Sequence, residues 1–208
     1  MILIGQYDSP FVRRVGIALA LYGLAFEHRP WSVFGDGEQV RAFNPLMRVP
    51  TLILDSGEVL FDSFSMIDCL DELAGEERAL CPRTGPIRRH VLGVVALAMG
   101  AAEKAVSLFY ELRLHAQVSA VWAERCRSQI LSTLAALERD RASRRSPYWF
   151  GGTMSHADIA AAVALRFIGE VHPSLIDTAE MPSLAAHAAA LEALPVFQEI
   201  AQPFVPPA

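Results

Sequence analysis

Asn44-Pro45-Leu46-Met47-Arg48-Val49-Pro50-Thr51-Leu52-Ile53-Leu54 is an apolar strand entered through a proline. Pro50 has no N–H to give to a ladder, and its ring pushes Val49 toward an extended backbone, so the pair belongs at a strand's first residue. Val49 is then expected to expose its own N–H and C=O at a sheet edge, as a template for another extended backbone. Arg48 brings a fixed cation to the same spot. The combination suits an extended, acidic, peptide-like ligand. On spacing alone, an ordinary edge strand that starts with proline accounts for it equally well.

Working outward, residues 51–54 and 58–61 read as two strands joined by Asp55-Ser56-Gly57, a hairpin turn. Asp62-Ser63 then caps a helix with apolar positions at Met66, Ile67, Leu70 and Leu73. Upstream, residues 1–7 are a short apolar run with the character of a buried strand. Asp8-Ser9-Pro10 is a turn that doubles as a helix start, with a side-chain cap and proline at the first helical position. Val12, Val15, Leu19 and Tyr22 repeat at helical spacing, and Gly23 is a natural stop. Residues 26–29 make a weak second strand, Gly35-Asp36-Gly37 breaks it, and residues 38–43 amount to a short helix at most. A strand–helix–strand unit implies parallel pairing and a hairpin adds antiparallel strands, so the sheet is mixed.

Residues 75–85 lapse into charge, proline and glycine, and residues 79–85 serve as a linker between a first domain at 1–78 and a second at 86–208. Everything after the linker is helical. Apolar residues from Ile87 to Leu112 mark one long face, and those from Val118 to Leu137 mark a second helix. The charge run at 139–145 reads as a solvated face. Met154-Ser155-His156-Ala157-Asp158-Ile159 opens a third helix through a capping box between Ser155 and Asp158, which leaves His156 as an exposed helix residue. Pro182 begins the last helix.

Composition excludes whole classes of function. With 208 residues, 52% of them hydrophobic and 20% charged, the chain has material for a packed core and not the make-up of a disordered segment. A net charge of −5 argues against nucleic acid or an anionic membrane as the main partner. Cys69, Cys81 and Cys126 are scattered, with no CxxC, and read as buried thiols in a reducing compartment. No apolar run is expected to reach membrane-spanning length, and no basic leader precedes the first strand, so the chain reads as soluble and cytoplasmic. Its 6 histidines show no metal-ligand spacing, and there is no P-loop, GxGxxG or nucleophile-elbow frame.

Two helix starts carry the remaining chemistry. Ser9 sits at the N-terminus of the first helix, where backbone N–H groups and the dipole favour an anion, so a ligand thiol ionises more readily there. Asp62-Ser63 offers a second set of anion-binding donors, with Asp62 available to a ligand ammonium. Either serine taken alone is more simply a helix cap. Tyr7, Phe11, Trp31, Phe109 and Tyr110 are aromatic candidates for an apolar pocket, although core packing accounts for any one of them.

Taken together, Ser9-Pro10-Phe11-Val12-Arg13-Arg14-Val15, the 44–52 stretch, Asp62-Ser63-Phe64-Ser65-Met66-Ile67 and Ser155-His156-Ala157-Asp158-Ile159-Ala160 resemble a cytosolic glutathione S-transferase of the bacterial, serine-type kind, over essentially the whole chain. The resemblance implies a thioredoxin-like N-terminal domain with a mixed four-stranded sheet, an all-helical C-terminal domain and a homodimer. It implies that Pro50 follows a cis bond, that the Val49 backbone pairs the glutathione cysteine, and that Asp62 and Ser63 hold the γ-glutamyl group. Asp62 stands where glutamate is more usual. Arg48 falls where a basic residue meets the glycine carboxylate, and Phe11 joins the glutathione-binding set. Ser9 falls at the hydroxyl that stabilises the thiolate, and the lack of a cysteine there disfavours mixed-disulfide chemistry.

The expected activity is therefore that of a glutathione transferase. Glutathione is the co-substrate, no metal is needed, and the bound thiol attacks a small hydrophobic electrophile, by conjugation or in an isomerisation. Tyr7, Trp31 and Tyr110 are the candidates for the electrophile pocket. The alternative is a non-catalytic glutathione-binding or protein-interaction module with the same fold.

Overall fold

The computed structural model describes residues 1–206 and divides into two compact units, Met1–Arg83 together with the segment from Leu194, and Thr84–Ala193. In the first unit β1 (Ile2–Ile4), α1 (Pro10–Tyr22), β2 (Glu27–Arg29), α2 (Gly37–Arg41), β3 (Thr51–Ile53), β4 (Val59–Phe61) and α3 (Ser63–Ala74) follow in order. The strands are shorter than the apolar runs that announce them. Helix boundaries, set by local capping, come out close to expectation. Gly23 stops α1 at φ 65°, and the Leu24 N–H closes back on the Leu19 carbonyl at 3.0 Å.

The sheet is mixed and four-stranded, in the order β2-β1-β3-β4, with β1 parallel to β2 and antiparallel to β3. β3 is therefore an interior strand. The expectation that the Val49-Pro50 pair marks a lateral edge is corrected: Pro50 stands at the end of a strand hydrogen-bonded on both sides. That position satisfies proline equally well, because it lies just outside the ladder. Leu3, Leu52, Val12, Val15, Leu19, Met66, Ile67 and Leu70 form one buried cluster of sheet, α1 and α3.

Residues 194–206 group with this same unit and not with the helices that follow residue 83. Helix α8 (Pro195–Glu199) packs on α1, where the buried Arg13 donates from Nε to the Ile200 carbonyl at 2.7 Å and from Nη2 to the Phe197 carbonyl at 2.8 Å. Two carbonyls with no helical partner thus meet a buried cation.

In the second unit α4 (Gly85–Leu114), α5 (Ala120–Ala142), α6 (His156–Val171) and α7 (Pro182–Glu192) pack around α6, which is apolar on nearly every side. This burial takes in His156, contrary to its expected exposure, because α6 has no solvated face at its start. By length and composition α4 could cross a membrane, which corrects the expectation that no run is long enough; alanines between its larger apolar residues keep the hydropathy of the whole stretch high. Half of that stretch is buried, and the helix packs on α5 and α6.

The charge run at 139–145 is likewise more than a solvated face. Arg144 grips Asp140 at 2.8 Å, donates to the Trp149 carbonyl at 3.1 Å and covers the Phe150 ring, while Arg141 donates to the Ser146 carbonyl at 2.8 Å. These bonds fold residues 144–151 back onto the end of α5.

Candidate functional site

Strand register brings the separate motifs together. Arg29, Ile4, Thr51 and Phe61 form one row across the four strands. One residue beyond that row the chain reaches Gly5, Pro50 and Asp62, so all three leave the sheet at the same end. Three segments far apart in sequence meet there for a single reason, the pairing of β3 with both β1 and β4.

The loop before β3 is held by one side chain. Asn44 is buried; its Nδ2 donates to the Arg48 carbonyl and to Thr51 Oγ1, both at 2.9 Å, and its Oδ1 accepts from the Leu46 N–H at 2.9 Å. Thr51 Oγ1 adds a bond to the same Arg48 carbonyl at 3.1 Å. The Val49–Pro50 bond is cis. Neither the N–H nor the C=O of Val49 has a hydrogen-bond partner among the described residues, so this short backbone segment is open to an extended ligand. Gly5 sits against it at φ 129°, and a Cβ there would come within 2.5 Å of Val12 Cγ2 and 2.8 Å of Val49 Cβ. Only glycine fits this contact and this backbone.

Ser9 caps α1, but loosely. Its Oγ lies 3.5 Å from the Val12 N–H, while its carbonyl accepts the Arg13 N–H at 2.9 Å. A hydroxyl in so weak a cap keeps its own O–H to donate. At the other helix start Asp62 Oδ1 accepts the Phe64 N–H at 2.8 Å from a strained backbone at φ 67°. Ser63 is buried, and Arg14 Nη1 reaches its Oγ at 3.5 Å. Anion-favouring helix ends thus stand at Ser9 and at Asp62-Ser63.

The remaining candidates separate. Phe11 is half-buried in the first turn of α1, and Arg48 is exposed. Tyr7 is committed to packing: its ring stacks on His28 at 3.9 Å and abuts Gly16, and burial, aided by Glu199, pushes its phenol up to about 12. Trp31 lies 6.1 Å from the Phe43 ring with the Arg29 guanidinium over it. Tyr110 belongs to the second unit, next to Phe109.

Asn44 is the residue that reading the sequence misses. Its bond to the Leu46 N–H is a local Asx turn, and an asparagine before proline is the available signal for one. Its longer reach, to Arg48 and Thr51, depends on the fold.

In the helical unit Asp158 accepts from the Trp149 N–H at 2.7 Å, the Ser155 N–H at 2.8 Å and the Ser155 hydroxyl at 2.7 Å, and His187 Nε2 lies 3.0 Å from its Oδ1. Burial works to raise its pKa, yet the bonds from His187, Ser155 and Trp149 prevail and hold the carboxyl below its usual range. This is a structural knot that fixes the start of α6. Cys69 is half-buried and Cys126 buried, and burial raises both thiols, so neither has thiolate character. Among the described residues no group of three or more His, Cys, Asp or Glu side chains is placed to hold a metal.

Comparison with known proteins shows which family the chain resembles. Residues 3–78 match the family model for the glutathione S-transferase N-terminal domain, and residues 120–190 match that for the C-terminal domain. A glutathione S-transferase from Methylobacterium radiotolerans, solved in complex with glutathione sulfonate, superposes with a TM-score of 0.88 at 30% identity, over 99% of this chain and 97% of that one. The GST-like protein YibF of Escherichia coli K12 is 35% identical over 139 residues, 66% of this chain and 68% of its own. Maleylacetoacetate isomerase of Rattus norvegicus is 27% identical over 204 residues, 95% of this chain and 90% of its own.

Proposed function

The chain belongs to the glutathione S-transferase family, and on that footing we propose that it binds glutathione across the sheet end described above and activates the thiol beside Ser9. The observation that carries the proposal is the shared exit of Gly5, Pro50 and Asp62 from one row of the sheet. The open Val49 backbone, next to Pro50, suits the cysteine of the tripeptide. Asp62 and Ser63 suit the ammonium and carboxylate of its γ-glutamyl end, the exposed Arg48 suits its glycine end, and Phe11 completes the binding set.

Ser9 acts as a donor and not as a nucleophile. A thiol near pKa ~8.5 is mostly protonated at neutral pH. A hydroxyl hydrogen bond together with the positive end of α1 favours the thiolate, which then attacks a small hydrophobic electrophile. The attack ends in conjugation when the adduct is released. It ends in isomerisation when addition reverses after the acceptor has rotated, a reading supported by the likeness to maleylacetoacetate isomerase along nearly the whole chain. Trp31 is the first unit's candidate for touching the electrophile. A cytoplasmic homodimer that needs no metal is part of the same proposal.

Replacing Ser9 by alanine tests it. Turnover of a chromogenic electrophile falls roughly hundred-fold, the size of one lost donor to a reacting anion, while glutathione affinity changes little. The alkaline rise of the pH–rate profile, which reports ionisation of the bound thiol, moves upward. Equal losses of turnover and affinity, or no loss of either, contradict the role.

A further inference from the structure

Arg14 is not accounted for by packing. It lies on α1, only 2% exposed, with its guanidinium 4.8 Å from the Phe64 ring centroid. Among the described residues its one hydrogen bond is the long contact from Nη1 to Ser63 Oγ. Burial brings the group down to about 10, with Asp62 and Asp71 opposing that fall, so it is charged at neutral pH. Those carboxylates have other bonds: Asp62 accepts the Phe64 N–H, and Asp71 accepts the Tyr22 hydroxyl. Among the described residues no carboxylate pairs with this guanidinium, so the field of a buried charge acts on the helix start beside it.

The hydroxyl of Ser63 links this charge to the start of α3. When an Arg N–H occupies an Oγ lone pair, the serine's own proton turns away from the guanidinium. Ser63 is the first residue of α3, so that proton joins the unpaired N–H groups of the helix's first turn. We infer that Arg14 is a positioning residue that makes this end of the site selective for a carboxylate: it orients the Ser63 hydroxyl and places a fixed positive charge behind it. The inference rests on the proposed function, in which the α-carboxylate of the γ-glutamyl group arrives here.

The test is a calorimetric comparison of glutathione with its decarboxylated analogue, γ-aminobutyryl-cysteinylglycine, on the full chain and on Arg14→Met, Arg14→Lys and Ser63→Ala. The unmodified protein prefers glutathione. Arg14→Met loses about ten-fold or more of that preference, the size of a charge-assisted hydrogen bond, while affinity for the analogue stays within about two-fold. Ser63→Ala does the same, and the double variant loses little beyond either single one, because both act through one contact. Should Arg14→Met fail to fold, Ser63→Ala must still lose the preference, and Arg14→Lys, which keeps the charge without the planar fork, must retain part of it. Equal loss for both ligands would show a purely structural arginine, and an unchanged preference would show that the buried charge does not act on the ligand; either overturns the inference while glutathione binding stands. Failure of the unmodified protein to bind glutathione overturns the proposed function itself.

Discussion

The side-chain amide of Asn44 and the carbonyl of Arg48 are 2.9 Å apart, a buried group reaching four residues forward to hold the loop that presents Val49. Loop backbone inside a fold needs such partners, because an unmet buried polar group costs about as much as a hydrogen bond gains.

Asn44→Ala removes three bonds at once and leaves the Leu46 N–H without its acceptor. We expect a loss of about 1–3 kcal/mol in denaturant unfolding, with weaker glutathione binding in the protein that remains folded. Unchanged stability would show that the loop is held by the Thr51 contact alone.

Gly5→Ala tests the close approach of β1's end to Val49. The new Cβ meets Val12 and Val49 well inside contact distance, at a φ that side chains rarely adopt. Overpacking and strain together predict a loss of about 1–3 kcal/mol or more. Adding Val12→Ala, which removes the nearest obstructing carbon, relieves only part of it, since the backbone strain persists. Full rescue would show that sterics alone select the glycine.

Asp158 predicts a pH dependence. Its carboxyl titrates lower in the folded chain than in the unfolded one, so it contributes stability fully above the ordinary carboxylate pKa of about 4 and loses that contribution as pH falls through the lowered folded value. Asp158→Asn is therefore less stable than the unmodified chain at neutral pH, and the gap between their urea midpoints narrows in acid. A gap that is constant with pH would show that the charge plays no part in the knot.

What the sequence disclosed and what it hid follow from the range of the forces involved. Ser9-Pro10, Asp62-Ser63 and the Ser155–Asp158 box announce helix starts because capping acts over three or four residues, and the structure puts α1, α3 and α6 there. Asp55-Ser56-Gly57 announces its hairpin for the same reason. The interior position of β3, the burial of His156, and the docking of residues 195–200 on Arg13 depend on partners tens to nearly two hundred residues away. Local pattern carries none of that information. In the stretch 44–54 the proline and the cation are the visible features, whereas the residue that holds it together is Asn44, whose bond to Thr51 forms only once Thr51 is in the sheet.

Glutathione binding by calorimetry at neutral pH, on the full chain and on Asp62→Ala, tests the central claim most directly. A one-site isotherm for the unmodified protein, weakened by removal of the Asp62 carboxylate, is the predicted result. No heat at millimolar glutathione, with a second method agreeing, would contradict the account and leave a protein that keeps the family's fold as an interaction module without its ligand.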